Sequence, residues 1–300
     1  MATAPGAPGP HDWSDLAARL GSGIAEVIPA RWGDTRAVTR VRLADGRDLA
    51  ARRLVGPVAG DEADRLARAS AHLQVAGIRV AWPVDRYPAA DGAWVVTPWV
   101  PGPLGASSLG DPAGRRVLAA SMGRLTARLS AVEIGALELD RTWAEPSLIA
   151  DRVTAALKTL SEGQDDPASV VIAADIEHVT SAWTGAREWS VGLAHGDLAP
   201  VNVVIEDDGE LVLLDLGGLR VGPRILDVAW WGWILRFHHP EAWADTWDVF
   251  LDGAGMPPSG ELNARATAVA RLLLLERAVE ATSDADRTRW LERLRTTSSW

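Results

Sequence analysis

The segment His195 to Ile205 reads HGDLAPVNVVI, and LVLLDLGG follows from Leu211 to Gly218. Together they set a carboxylate at Asp197, an amide at Asn202 and a second carboxylate at Asp215 in fixed order around two short apolar runs. Acid, amide and acid on loops that flank two strands suit a divalent cation and a phosphate chain. Magnesium takes hard oxygen ligands and draws only one or two of them from protein, which Asn202 and Asp215 could supply. Asp197 is then free to accept a proton from a hydroxyl nucleophile.

The elements that must carry these residues can be read from periodicity. VNVVI and LVLLDL form a strand pair joined through Asp207-Asp208-Gly209. Upstream, VTRVRL and DLAARRLV alternate with period two around Asp45-Gly46, a strong hairpin signal. Asp61 to Val75 repeats apolar residues at Leu66, Ala69 and Leu73 as a helix that Gly77 ends, and AWVVTPWV is a further strand closing on Pro101-Gly102. Beyond Gly102 the texture turns helical, starting with Asp111 as N-cap and Pro112 at the first helical position. The order predicts an α+β chain: a Pro/Gly/Ala-rich tail over 1–10, a small sheet-bearing lobe over 11–98, a connection at 99–102, and a larger, mainly helical lobe over 103–300.

Composition narrows the chemistry. A net charge of -10 argues against a nucleic-acid binder, which needs a basic face. With no cysteine there is no disulfide, thiolate nucleophile or cysteine-bound zinc, in keeping with a reducing cytoplasm. MATAPGAPGP lacks the basic and apolar regions of a signal peptide, and the most apolar stretch, Val228 to Leu235, is too short to cross a membrane. Lys158 is the sole lysine, and no glycines precede it in the pattern of a Walker phosphate loop.

HGDLAPVN, then LLDLGG, then GPRILDVAW ending its acidic position at Asp227, resembles the aminoglycoside phosphotransferase family, the small-molecule branch of the protein-kinase-like fold. The resemblance implies a bilobal fold. It implies that Asp197 is the catalytic base, that Asn202 and Asp215 are magnesium ligands, and that His195 and Asp227 support the loop. WGDTRAVTRV looks like the family's nucleotide-covering loop, with Gly33 and Thr35 where backbone N–H groups approach phosphates. TPWVPG looks like the hinge, where the Pro98 carbonyl would accept from an adenine amino group and the Val100 N–H would donate to the ring. The implied activity is transfer of the γ-phosphate of ATP, with GTP left open, to a hydroxyl of a small molecule such as an aminoglycoside-like antibiotic, a sugar or an amino alcohol.

Two positions depart from the family pattern. The third strand carries Arg52 and Arg53 in place of the phosphate-binding lysine, and Arg52 is expected to take that role because Ala50 and Arg52 share the face toward nucleotide. Glu62 is the nearest glutamate to pair with it, about a turn early on its helix. These departures motivate an alternative, a nucleotide-binding pseudokinase that regulates a protein partner. A protein kinase is disfavoured by Gly196, by Ala199 and by the short span between Asp215 and Asp227, which has no room for a peptide-binding segment.

For the acceptor, two features stand out. Trp230, Trp231 and Trp233 follow Asp227, and Trp231 is the substrate-facing choice among them. In PEAWADTWDVFLD, helical spacing stacks Glu241, Asp245, Asp248 and Asp252 on one face, a stripe that is either simply solvated or edges a site for a cationic acceptor. His238 and His239 are adjacent and point to different sides, as surface or core histidines rather than a metal pair.

Overall fold

A computed structural model describes residues 10–29, 38–161, 175, 190–281 and 283–300. Gly33, Thr35 and residues 1–9 of the expected tail lie outside them. Two compact units form, one from the described residues of Met1–Leu104 together with Val203–Gly217, the other from those of Gly105–Asn202 together with Gly218–Trp300.

The first unit opens with helix α1, Pro10–Leu20, followed by β1 Ile24–Pro29, β2 Thr39–Leu43, β3 Asp48–Val55, α2 Ala59–Val75, β4 Asp85–Ala89 and β5 Gly92–Pro98. The strands make one antiparallel sheet in the order β1-β2-β3-β5-β4. The periodicity of β2, β3, α2 and β5 marks these elements in the sequence, whereas α1, β1 and β4 do not stand out. Helix α1 forms because Leu16 and Leu20 recur at helical spacing, and it buries them with Val41, Leu43, Ala51, Trp94 and Val96 in one core. Trp13 joins that core, its ring centroid 5.0 Å from that of Trp94.

Period-two alternation then sorts β3 between the two faces of the sheet. Ala51 faces the α1 core, and Arg53 on the same face reaches Asp12 of α1 at 2.5 Å. Arg52 faces the opposite way, toward α2.

The later strands are β6 Val191–Ala194, β7 Val203–Ile205, β8 Leu211–Leu213 and β9 Arg220–Pro223, and the later helices are α3 Pro112–Ser130, α4 Pro146–Ser161, α5 Ile225–His238, α6 Pro240–Gly253, α7 Gly260–Glu280 and α8 Asp284–Thr297. The β7–β8 hairpin belongs to the first unit because its outer groups bond there: Ile205 N–H donates to the Pro103 carbonyl (3.0 Å) and Leu213 N–H to the Arg79 carbonyl (2.9 Å). These bonds carry Asp215 into the same unit as Arg52.

In the second unit, Asp111 caps α3 by accepting from Gly114 N–H at 2.6 Å, with Pro112 opening the helix. Helix α5 is buried along nearly its whole length, and α6 packs Trp247, Phe250 and Leu251 inward. Among the described residues no helix is long and apolar enough to cross a membrane.

Candidate active site

Strands β6 and β9 pair antiparallel, Ala194 opposite Arg220, and the HGD loop leaves the end of β6. The loop turns sharply at Gly196, whose φ is 75°. A Cβ there would lie 2.3 Å from the Gly218 carbonyl oxygen, so only glycine fits both the backbone and the space. Asp227, in the first turn of α5 and 1 % exposed, accepts from the His195 N–H (2.8 Å) and the Gly196 N–H (2.9 Å). This grip pins the loop to the helix. Burial pushes the Asp227 carboxyl up from the ordinary carboxylate range, against the opposing pull of His195 and of the two backbone donors. His195 is itself fully buried beneath the loop.

Asp197 points out of this turn with its side chain 32 % exposed. The Asn202 amide nitrogen donates both to the Asp197 carbonyl (2.8 Å) and to its Oδ2 (3.1 Å). The short 3-10 turn Pro200–Asn202 makes this reach possible, and it directs the amide oxygen of Asn202 away from Asp197. Two further groups converge on Oδ1: Trp230 Nε1 donates at 2.7 Å, and Arg277 Nη2 lies 3.6 Å away.

In the first unit, Arg52 is 7 % exposed and its guanidinium is shared between two carboxylates. Nη1 donates to Asp215 Oδ1 at 2.8 Å, and Nη2 is 3.7 Å from Glu62 Oε1. Glu62 sits in the first turn of α2, so a position that looks early in the sequence is where the arginine's reach ends. Arg53 turns away, to Asp12 and Asp91. Asp215 has φ 48°, the one non-glycine residue with positive φ among the described residues. Aspartate tolerates that region better than most side chains, at a cost of about 1–2 kcal/mol. Gly217 N–H donates to its Oδ1 at 3.3 Å. Pro98 ends β5 opposite Leu49, and Val100 follows it, half-buried.

The sequence profile of the phosphotransferase enzyme family matches residues 26–262, which covers most of the chain and every position just described except Asp12 and Arg277. This chain belongs to that family. As a member it is a phosphotransferase. Its fold is similar to that of the macrolide 2'-phosphotransferase MphH from Brachybacterium faecium, with a TM-score of 0.62 at 21% identity over 93% of this chain and 96% of that one. It is similar also to aminoglycoside 2'-phosphotransferase-IIIa, solved with GDP, with a TM-score of 0.72 at 15% identity over 96% and 98%. A third likeness is to aminoglycoside-3'-phosphotransferase of type VIII, with a TM-score of 0.61 at 21% identity over 88% and 99%. No curated protein sequence matches the chain. The α+β fold is the protein-kinase-like fold of these phosphotransferases.

Several acceptor expectations for this phosphotransferase are revised by its packing. Trp231 is not substrate-facing: it is fully buried, its ring stacked on Phe250 at 5.2 Å. The indole that reaches the loop is Trp230, three residues after Asp227 and therefore on the same helix face. That spacing was a usable signal. Arg277 had none, since nothing in the local sequence of α7 points to the HGD loop.

The acidic stripe does lie on one helix, with Glu241, Asp245, Asp248 and Asp252 all exposed. Asp245, however, is ion-paired to Arg115 of α3, and Arg116 donates to the Asp245 carbonyl at 2.9 Å. The stripe lacks basic residues along the chain and acquires them from a neighbouring helix. His238 stacks edge-on against Phe237 (4.9 Å) and Trp233 (5.7 Å), and partial burial pulls its imidazole pKa down.

Proposed function

We propose that the chain transfers the γ-phosphate of ATP, in the presence of magnesium, to a hydroxyl of a small molecule such as an aminoglycoside-like antibiotic, a sugar or an amino alcohol. The observation that carries this reading is the Asp197 carboxylate, partly exposed, with Asn202 tied to it through its amide nitrogen. The acceptor hydroxyl gives its proton to Asp197 as the new oxygen–phosphorus bond forms. The bond from the γ-phosphorus to the β–γ bridging oxygen breaks, and the nucleoside diphosphate leaves.

The residues present fit magnesium. The Asn202 amide turns its nitrogen to Asp197, leaving its oxygen as one hard ligand, and the carboxylate of Asp215 would be the second. When bound, the ion would offset charge on the β and γ phosphates. Arg52, buried and aimed by Glu62 and Asp215, would hold the phosphate chain, and its planar fork suits two phosphate oxygens at once. Pro98 and Val100 would offer the backbone carbonyl and N–H to the adenine, and Gly33 and Thr35 the covering loop. One of the similar structures was solved with GDP, so GTP is retained as a second donor. A cytoplasmic setting supplies both.

The pseudokinase alternative drew on the missing lysine and the early Glu62. The pairs of Arg52 with Glu62 and Asp215 support the catalytic reading instead. The test is a radiolabelled ATP and GTP assay over a panel of aminoglycosides, macrolides, sugars and amino alcohols, with Asp197→Asn alongside. Turnover that falls by about 10²- to 10⁴-fold in the variant, at unchanged nucleotide affinity, is the expected result. Turnover within about threefold of wild type would remove Asp197 from the chemistry.

A further inference from the structure

Two helices, α5 and α7, send side chains to one oxygen of Asp197. From α5, Trp230 is 2 % exposed and donates its Nε1–H to Oδ1 at 2.7 Å, the short distance of a charge-assisted bond. From α7, Arg277 spans three groups. Its Nη2 donates to the Gly196 carbonyl at 3.1 Å, its guanidinium lies 5.3 Å from the centre of the Trp230 ring, and Nη2 stands 3.6 Å from Oδ1. The last distance exceeds a hydrogen bond, so Arg277 acts on the carboxylate as a charge rather than as a donor. Among the described residues, Oδ2 receives only the Asn202 amide, at 3.1 Å.

The asymmetry has a mechanical consequence. A carboxylate turns easily about its last bond, because that torsion has broad two-fold wells, and a half turn merely exchanges two equivalent oxygens, so what can be fixed is the plane of the group and which oxygen position is bonded to the indole. At angles between the two wells the indole, which cannot follow, would lose its acceptor. Its ring is stacked on Trp233 (centroids 4.9 Å) and flanked by Trp290 (6.3 Å), and a buried N–H left without its acceptor costs about 1–3 kcal/mol. We propose that Trp230 and Arg277 are positioning residues that lock the Asp197 carboxylate through Oδ1, so that Oδ2 is the oxygen presented to the acceptor hydroxyl. This rests on Asp197 being the base, as proposed above. Trp230 holds the orientation, and Arg277 holds both the ring and the loop carbonyl while balancing the carboxylate charge.

The experiment uses the full chain and has two arms. In the first, the protein is labelled with ¹⁵N-tryptophan and studied without nucleotide or acceptor. Trp230→Phe, which keeps a ring on Trp233 and under Arg277 but has no N–H, removes one of the fifteen indole signals and so assigns it. That signal should lie downfield and should move upfield in Asp197→Asn, with a smaller movement in Arg277→Gln. An indole signal that ignores Asp197→Asn overturns the proposal.

In the second arm, phosphate transfer from magnesium-ATP is followed with kanamycin, a macrolide and water as acceptors. Trp230→Phe should lower kcat by about 10- to 10²-fold, the usual result of a misplaced reacting group, with both KM values within about twofold. Combining Trp230→Phe with Asp197→Asn should cost nothing beyond Asp197→Asn alone. If Asp197→Asn abolishes turnover while Trp230→Phe stays within about threefold of wild type, the positioning role is wrong and the base stands. If Asp197→Asn itself keeps its turnover, the base reading fails first and this inference falls with it.

Discussion

Arg52 and Asp215, 163 positions apart in the chain, meet at 2.8 Å because the β7–β8 hairpin bonds to the segments around Arg79 and Pro103 in the first unit. A cation on the third strand and a carboxylate after the eighth thereby become one pair, with Glu62 behind them.

Arg52→Ala is expected to weaken nucleotide binding by roughly 10- to 10²-fold, the worth of a charge-assisted hydrogen bond of about 1.5–3 kcal/mol. Arg53→Ala should leave nucleotide affinity within about threefold, since its partners Asp12 and Asp91 lie on the other face. Titration calorimetry decides between them, and the reverse order would place the phosphate cation at Arg53. Arg52→Lys should recover part of the affinity if charge alone is needed, and little if the fork is needed.

Asp215→Asn should abolish magnesium dependence of nucleotide binding while costing no more than about 1 kcal/mol of stability. Asparagine tolerates positive φ as aspartate does, the Asp215 side chain is itself 45 % exposed, and Glu62 still faces the buried Arg52 guanidinium after the pair is lost. Calorimetry with and without magnesium, beside a denaturant titration, reads both effects. Magnesium-dependent binding that survives would take Asp215 out of the metal site.

Gly196→Ala should destabilise the chain by about 2–5 kcal/mol, adding the left-handed backbone penalty to overpacking against the Gly218 carbonyl. Gly209→Ala is the control. It has φ 80° with nothing within 4 Å of an added Cβ, so it should cost only about 1–2 kcal/mol. Equal urea midpoints for the two variants would show that the loop yields where the packing says it cannot.

Asp245→Asn should lower stability by about 0.2–1 kcal/mol through its exposed pair with Arg115, and leave the KM of every acceptor unchanged. Asp248→Asn carries the test of the acidic stripe. If a cationic acceptor is used, its KM should rise with this substitution and rise further with salt; a KM indifferent to both leaves the stripe as a solvated helix face.

Much of the fold and the core of the site are legible from local pattern. Asp197 and Asn202 act through one loop, so their spacing along the chain already encodes their meeting, while Asp227 comes to that loop from the helix after β9, where the motif order marks it. The side chosen by Arg52 rather than Arg53 follows from strand alternation, and the start of α3 from an Asp followed by a Pro. These are short-range rules in which backbone geometry converts sequence distance into direction.

What only tertiary packing decided are the contacts between elements remote in sequence. Arg277 reaches Gly196 and Asp197 from 81 positions away for the first of them, and Arg115 finds Asp245 across 130. Trp231 looked suited to a substrate from its neighbours, yet α5 is covered on nearly all sides and buries it, leaving Trp230 beside the loop. Helix α1 shows its apolar spacing only once Trp94 and the sheet are there to receive it. In each case the sequence lists the groups, while the partner is chosen by the packing of helices and sheet, a long-range sum of burial and close contact that no local spacing records.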